Sequence, residues 1–133
     1  MINAPFTVFV TAWHRGKPLY QNLQRMALLG QELTAHTYQW ELCTGVYNHE
    51  TEQSIAVQVY DETTAKRIAR HVGYLFEQEC IGLLDNAGKE FRLVYPSATQ
   101  GDDLLGKLRQ VTEQAALASP GASYWRGMWW VAE

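Results

Sequence analysis

The chain has little of what most site motifs require. It holds two cysteines in 133 residues, Cys43 and Cys80, and no Cys-x-x-Cys pair. Its four histidines (His14, His36, His49, His71) are scattered without zinc-ligand spacing. Zinc-ligand spacing and a disulfide framework are therefore absent, and no metal is expected. Each cysteine sits in an apolar, strand-like run and reads as a buried free thiol. No apolar run approaches the roughly 20 residues that span a bilayer. The opening MINAPFTVFVTAW has neither a basic stretch nor a small-residue cleavage site, so no signal peptide is read and a cytoplasmic setting is expected. Charge is also sparse: 11 Lys and Arg against 14 Asp and Glu, a net −3. Nucleic-acid binding favours a basic face, and a DNA mimic would be far more acidic, so neither fits. No GxSxG elbow, P-loop or GxGxxG is present, and no strand carries the basic aromatic octapeptide of an RNA-recognition domain.

Hydrophobic residues make up 47% of the sequence and include five tryptophans. That is globular composition, and the length favours a single domain over residues 1–133. FTVFVTAW (6–13) reads as a strand. Pro18 then opens a helix with Leu19, Leu23, Met26, Leu29 and Leu33 on one face. YQWELCTGVY (38–47) and SIAVQVY (54–60) read as strands. Asp61 is an N-cap for a second helix, with Ala65, Ile68, Ala69, Val72 and Phe76 as its buried stripe. ECIGLL (79–84) and FRLVY (91–95) form a hairpin about DNAGKE. Leu104, Leu108, Val111 and Ala115 predict a third helix over 102–117, and YWRGMWWVAE closes the chain as a last strand.

The order β-α-β-β-α-β-β-α-β points to an α+β fold with a ferredoxin-like antiparallel sheet and helices on one face. Its other face then needs cover, which a second copy of the chain commonly supplies. Trp40, Trp125, Trp129 and Trp130 suit such an interface, or else pack the core.

Three stretches carry candidate chemistry. GVYNHETEQSIAV (45–57) gathers Tyr47, His49, Glu50 and Glu52 before a strand. A carboxylate at a strand mouth can bind hydroxyls or an amino group, or act as a base, although polar turns are common. YLFEQEC (74–80) places Glu77 and Gln78 where a helix gives way to a strand, a position that lines clefts in many folds. TAWHRGK (11–17) offers Trp13 for stacking and His14 for titration near neutral pH.

Several of these pieces together resemble the small phage-encoded enzymes that cleave S-adenosylmethionine, first called hydrolases and later lyases, which counteract host restriction. FTVFVTAW resembles the family's opening strand, TGVY (44–47) its Gly-x-Tyr strand end, and TEQSIAVQV (51–59) its Thr-Glu-Glu entry into the next strand. FEQEC (76–80) and GMWWVAE (127–133) resemble later segments, in the family's order along essentially the whole chain. The family's acidic pair stands here as Glu52-Gln53, so its functional glutamate aligns with either position, and only Glu52 keeps a carboxylate. The helix at 102–117 has no clear counterpart.

The resemblance implies intramolecular attack by the substrate carboxylate, releasing methylthioadenosine and homoserine lactone with no cofactor. It implies that Glu52 anchors polar groups of the substrate and that Tyr47 positions its reacting end or covers the adenosine. Gln78, with Glu77 beside it, Trp13 and Ser54 would complete the binding set. It further implies a homo-oligomer, a trimer by preference, with sites between subunits, acting in the cytosol of a bacterial host. Two alternatives stand beside it: hydrolysis of the same substrate with Glu52 as general base, and a non-enzymatic ferredoxin-like module that binds a small ligand or a protein.

Overall fold

The computed structural model describes residues 4–97 and 99–133. Its elements are β1 (Phe6–Val10), α1 (Leu19–Ala35), β2 (Gln39–Tyr47), β3 (Glu50–Val59), α2 (Glu62–Phe76), β4 (Ile81–Asp85), β5 (Glu90–Val94), β6 (Asp103–Val111), α3 (Glu113–Ala118), β7 (Gly121–Trp125) and β8 (Met128–Ala132). Both long helices lie where their sequences predict, but of the expected α1 face only Met26, Leu29 and Leu33 are buried, while Leu19 and Leu23 are exposed and Asn22 and Gly30 are buried in their place. Pro18 is the N-cap residue of α1, and the Asp61 carboxylate accepts a hydrogen bond from the Thr64 amide at 2.7 Å to start α2. The α2 stripe of Ala65, Ile68, Ala69, Val72 and Phe76 is buried. The helix ends at Glu77, which takes the left-handed conformation (φ 57°) that terminates helices.

The ferredoxin-like expectation is wrong. All eight strands join one closed antiparallel barrel, in the order β1-β3-β2-β7-β8-β6-β5-β4. β1 is the closing strand, paired with β3 on one edge and with β4 on the other. Closure removes both sheet edges, along with the unpaired amides and carbonyls they would expose. It also changes what covers the sheet. The inner face, expected to need a partner, is filled by the chain itself with Phe9, Cys43, Ala56, Leu84, Phe91, Leu108, Trp125 and Trp130. Eight strands leave an interior that side chains can fill. Phe9 of β1 meets Trp125 of β7 edge to face at 5.2 Å, so the ring contacts cross the barrel. The outer face of β1, β3 and β4 packs under α1 and α2 through Val8, Val10, Val57, Leu83, Leu29 and Val72.

Two further expectations fail in the C-terminal third. The predicted helix over 102–117 is strand β6 followed by the short α3. Its Leu104 is 62% exposed, so the apparent helical stripe was no buried face. Gly106 lies mid-strand at φ 121°, beside the register shift between β5 and β6 at Phe91/Arg92. That is a bulge, which bends a strand where a barrel must turn. The closing strand is in fact the hairpin β7–β8, with Arg126 (φ 53°) and Gly127 (φ 76°) as its two-residue turn. Of the loop SATQGDD, Ala98 lies outside the described residues. No helix among the described residues is long and apolar enough to cross a membrane.

The closed interior makes Gly82 a test of the packing. A Cβ there would lie 2.5 Å from Cζ of Phe91 and 3.4 Å from Cβ of Phe9. Gly82→Ala is expected to destabilise the fold by about 1–3 kcal/mol through overpacking. Urea denaturation checks this: the midpoint should fall at an unchanged slope.

Candidate active site

The site begins with the β2–β3 hairpin. Asn48 (φ 48°) and His49 (φ 68°) form its two-residue turn, the doubly left-handed geometry that matches strand twist. The turn fixes Tyr47 opposite Glu50, Gly45 opposite Glu52 and Cys43 opposite Ser54. Side chains alternate along a strand, so Glu52 and Ser54 share the face of Cys43, which is the barrel interior. Gln53 points the other way. It lines an outer groove with Leu23, Met26, Trp40 and Ile55.

Glu52 is half-buried, and its carboxylate lies over the bare backbone of Gly45. A Cβ on Gly45 would meet Glu52 Cγ at 3.4 Å and Oε1 at 3.6 Å. Burial raises the Glu52 carboxyl above its usual 4.5, Arg15 pulls it down and Glu50 pushes it up again. Desolvation is therefore the dominant cause. Among the described residues, the Glu52 carboxylate accepts no hydrogen bond.

Arg15 carries no distinctive motif in the sequence, yet it organises this end of the barrel. Its Nη2 donates to the Tyr47 carbonyl at 3.0 Å, and its Nε pairs with Glu50 at 3.2 Å. Its guanidinium also sits 4.8 Å from the centroid of the Tyr47 ring. Each contact is exposed and individually weak, but together they hold the tyrosine against the hairpin tip. The only sequence signal was a basic residue in a polar turn.

Ser54 is already engaged, donating from Oγ to the Val10 carbonyl at 2.9 Å. Cys43 opposite it is buried, and that burial pushes its thiol up to about 12, so it stays protonated and is no nucleophile. Cys80 is only partly buried, with its thiol also raised, chiefly by burial. His49 is exposed and lies 3.1 Å from the Leu117 carbonyl.

The other expected residues form a second group at the α2–β4 junction. Gln78 Nε2 donates to the carbonyls of Trp13 and Phe76, both at 3.1 Å. Arg25 donates to the carbonyls of Ala12 (2.7 Å) and Phe76 (2.5 Å). Glu77 is largely exposed, 3.9 Å from Arg25. Trp13 packs against the core beneath the helices. The structure therefore brings Tyr47, Glu52 and Ser54 together on one hairpin, with Arg15 reaching it from the loop after β1, and holds Trp13, Glu77 and Gln78 separately. The loop after β1 touches both groups. Its Thr11 hydroxyl reaches the Gln53 carbonyl (2.7 Å), its Trp13 carbonyl receives Gln78, and its Arg15 clamps Tyr47.

A half-buried carboxylate near a clamped aromatic ring, at the end of a filled barrel, is the candidate site of this chain. Compared with known families, the chain matches the S-Adenosylmethionine lyase family over residues 8–133, and it belongs to that family. It is an S-adenosylmethionine lyase, and S-adenosylmethionine is its substrate. No curated protein matches it.

Glu52 gives a signed pH prediction. Its folded-state value lies above the ordinary 4.5 of an exposed carboxyl, so between the two the native state binds more protons. This group's contribution to stability therefore falls as pH rises through that window. Glu52→Gln removes the loss. The variant should be at least as stable as the parent at pH 7, with a flatter profile from pH 4.5 upward, read from urea midpoints across pH.

Proposed function

We propose that the enzyme folds S-adenosylmethionine so that the methionyl carboxylate attacks its own γ-carbon. A C–O bond forms, the C–S bond breaks with its electrons going to sulfur, and methylthioadenosine leaves beside homoserine lactone. The observation that carries this reading is the desolvated Glu52 carboxylate, which lacks a hydrogen-bond donor among the described residues. The substrate carries a sulfonium and an ammonium, and a cation or donor at Glu52 would offset its burial. Anchored there, the substrate needs only orientation and exclusion of water, because the sulfonium is already an activated leaving group. Tyr47, held by Arg15, supplies an aromatic face of the kind that attracts cations. Gln78, Trp13, Ser54 and Glu77 act on this end only indirectly, by holding the loop after β1 and the strands that carry Tyr47 and Glu52.

The same raised carboxyl would suit a general base, so attack by water is the rival reading. Exposure of Tyr47 (56%) at this end and of Leu42 (64%) on the outer barrel face favours a homo-oligomer in which a second subunit completes the site; a trimer is the expected form. Removal of the methyl donor from a bacterial cytosol, and with it relief from host restriction, is the biological role this chemistry would serve.

Reaction in ¹⁸O-labelled water tests the chemistry. Unlabelled homoserine lactone should appear first, alongside methylthioadenosine; labelled homoserine without a lactone precursor would instead establish hydrolysis. Glu52→Gln should lower the rate of methylthioadenosine release by on the order of 100-fold. Near-parental turnover in that variant would remove Glu52 from its role.

A further inference from the structure

Away from the barrel mouth, three metal-ligating groups converge where the two long helices meet. Glu32 lies in the last turns of α1, His36 is the helix's C-cap residue one turn later, and His71 comes from α2. Glu32 Oε1 lies 3.2 Å from His36 Nε2 and 2.8 Å from His71 Nε2. One donor atom from each of the three lies within 4.8 Å of the other two. The rings are held in place as well. His36 meets His71 edge to face at 5.4 Å and stacks on Tyr38 at 6.1 Å.

We propose that Glu32, His36 and His71 form a divalent transition-metal site, with Zn²⁺ its best-matched occupant, that clips α1 to α2. Two imidazole nitrogens and one carboxylate oxygen are the donor set that borderline ions take, rather than Ca²⁺ or Mg²⁺. Ligands about 2.0–2.1 Å from a zinc ion stand roughly 3.3 Å apart in tetrahedral geometry. The two Glu32–histidine separations are already close to that and the two histidines stand within 4.8 Å of each other, so an ion replaces two hydrogen bonds by drawing the three groups in around itself. All three side chains are partly exposed, which leaves the ion an entry path and a fourth position for water. The site is separate from Glu52 and Tyr47, so it carries no step of the lyase reaction. Its effect is to join two helices that otherwise rest side by side on the barrel.

Calorimetric titration of Zn²⁺ into the full chain at neutral pH tests this. The parent should bind a single ion per chain with micromolar affinity, and the ion should raise its melting temperature, reversibly on chelation. His71→Ala and His36→Ala should each weaken binding at least tenfold and lose the thermal shift. His14→Ala, remote from the cluster, should behave as the parent. The proposal is overturned if the parent shows no saturable binding. It is equally overturned if His71→Ala binds as tightly as the parent, because the ion then sits elsewhere. Both histidines are surface residues, and melting of the metal-free variants shows whether they fold.

Discussion

The two-residue turn at Asn48 and His49 decides which side chains of the longest hairpin face inward, and the rest of the candidate site depends on that register. With Tyr47 paired to Glu50, Glu52 falls on the inner face opposite Gly45, and Gln53 on the outer face. A slip of one residue would exchange them. The turn is held by more than its own backbone preference. The Asn48 amide donates to the Pro120 carbonyl, and Arg15 grips both Tyr47 and Glu50. Gly45 lies directly across the strand from the carboxylate, at a distance where an added Cβ would just touch the Glu52 side chain.

Placing a carboxylate there works against stability. Burial favours its protonated form, and Arg15 offsets this only in part. The barrel tolerates this because its closure leaves no sheet edge and its interior is densely filled by aromatic residues. An unfavourable charge held in place by a stable scaffold is a common arrangement at sites that bind an opposite charge. The helices contribute from the far side of the sheet: they cover β1, β3 and β4 and so fix the strand that bears Glu52.

Much of this was readable from residue pattern. The stripe of α2, the Met26–Leu29–Leu33 part of that of α1, the Asp61 cap and the early strands follow from periodicity and capping, and the family resemblance directed attention to Tyr47 and Glu52. The barrel was not readable, because its closure depends on β6. The segment DLLGKLRQV is rich in good helix formers, and tertiary pairing with β5 and β8 overrides that preference. Gly106 was the warning sign, costly in a helix and natural at a bulge. In YWRGMWW, Arg126-Gly127 between two aromatic runs was a hairpin signal that a single-strand reading passed over. At the site, Gln78 and Ser54 looked free in sequence but are committed to backbone carbonyls. Arg15 was invisible because its partners are distant along the chain, and although Glu32 and His36 stand one helical turn apart, His71 joins them only through the fold.

The protonation of Glu52 is the most direct measure of whether the hairpin holds a desolvated carboxylate for a cationic substrate. Carbon-detected NMR titration of the Glu52 carboxyl, with and without an uncleavable analogue in which a protonated amine replaces the sulfonium, reports it. In the free enzyme the group should titrate above the ordinary 4.5, and the bound analogue should pull it down. A free value at or below 4.5 that the analogue leaves unchanged would contradict this role for Glu52.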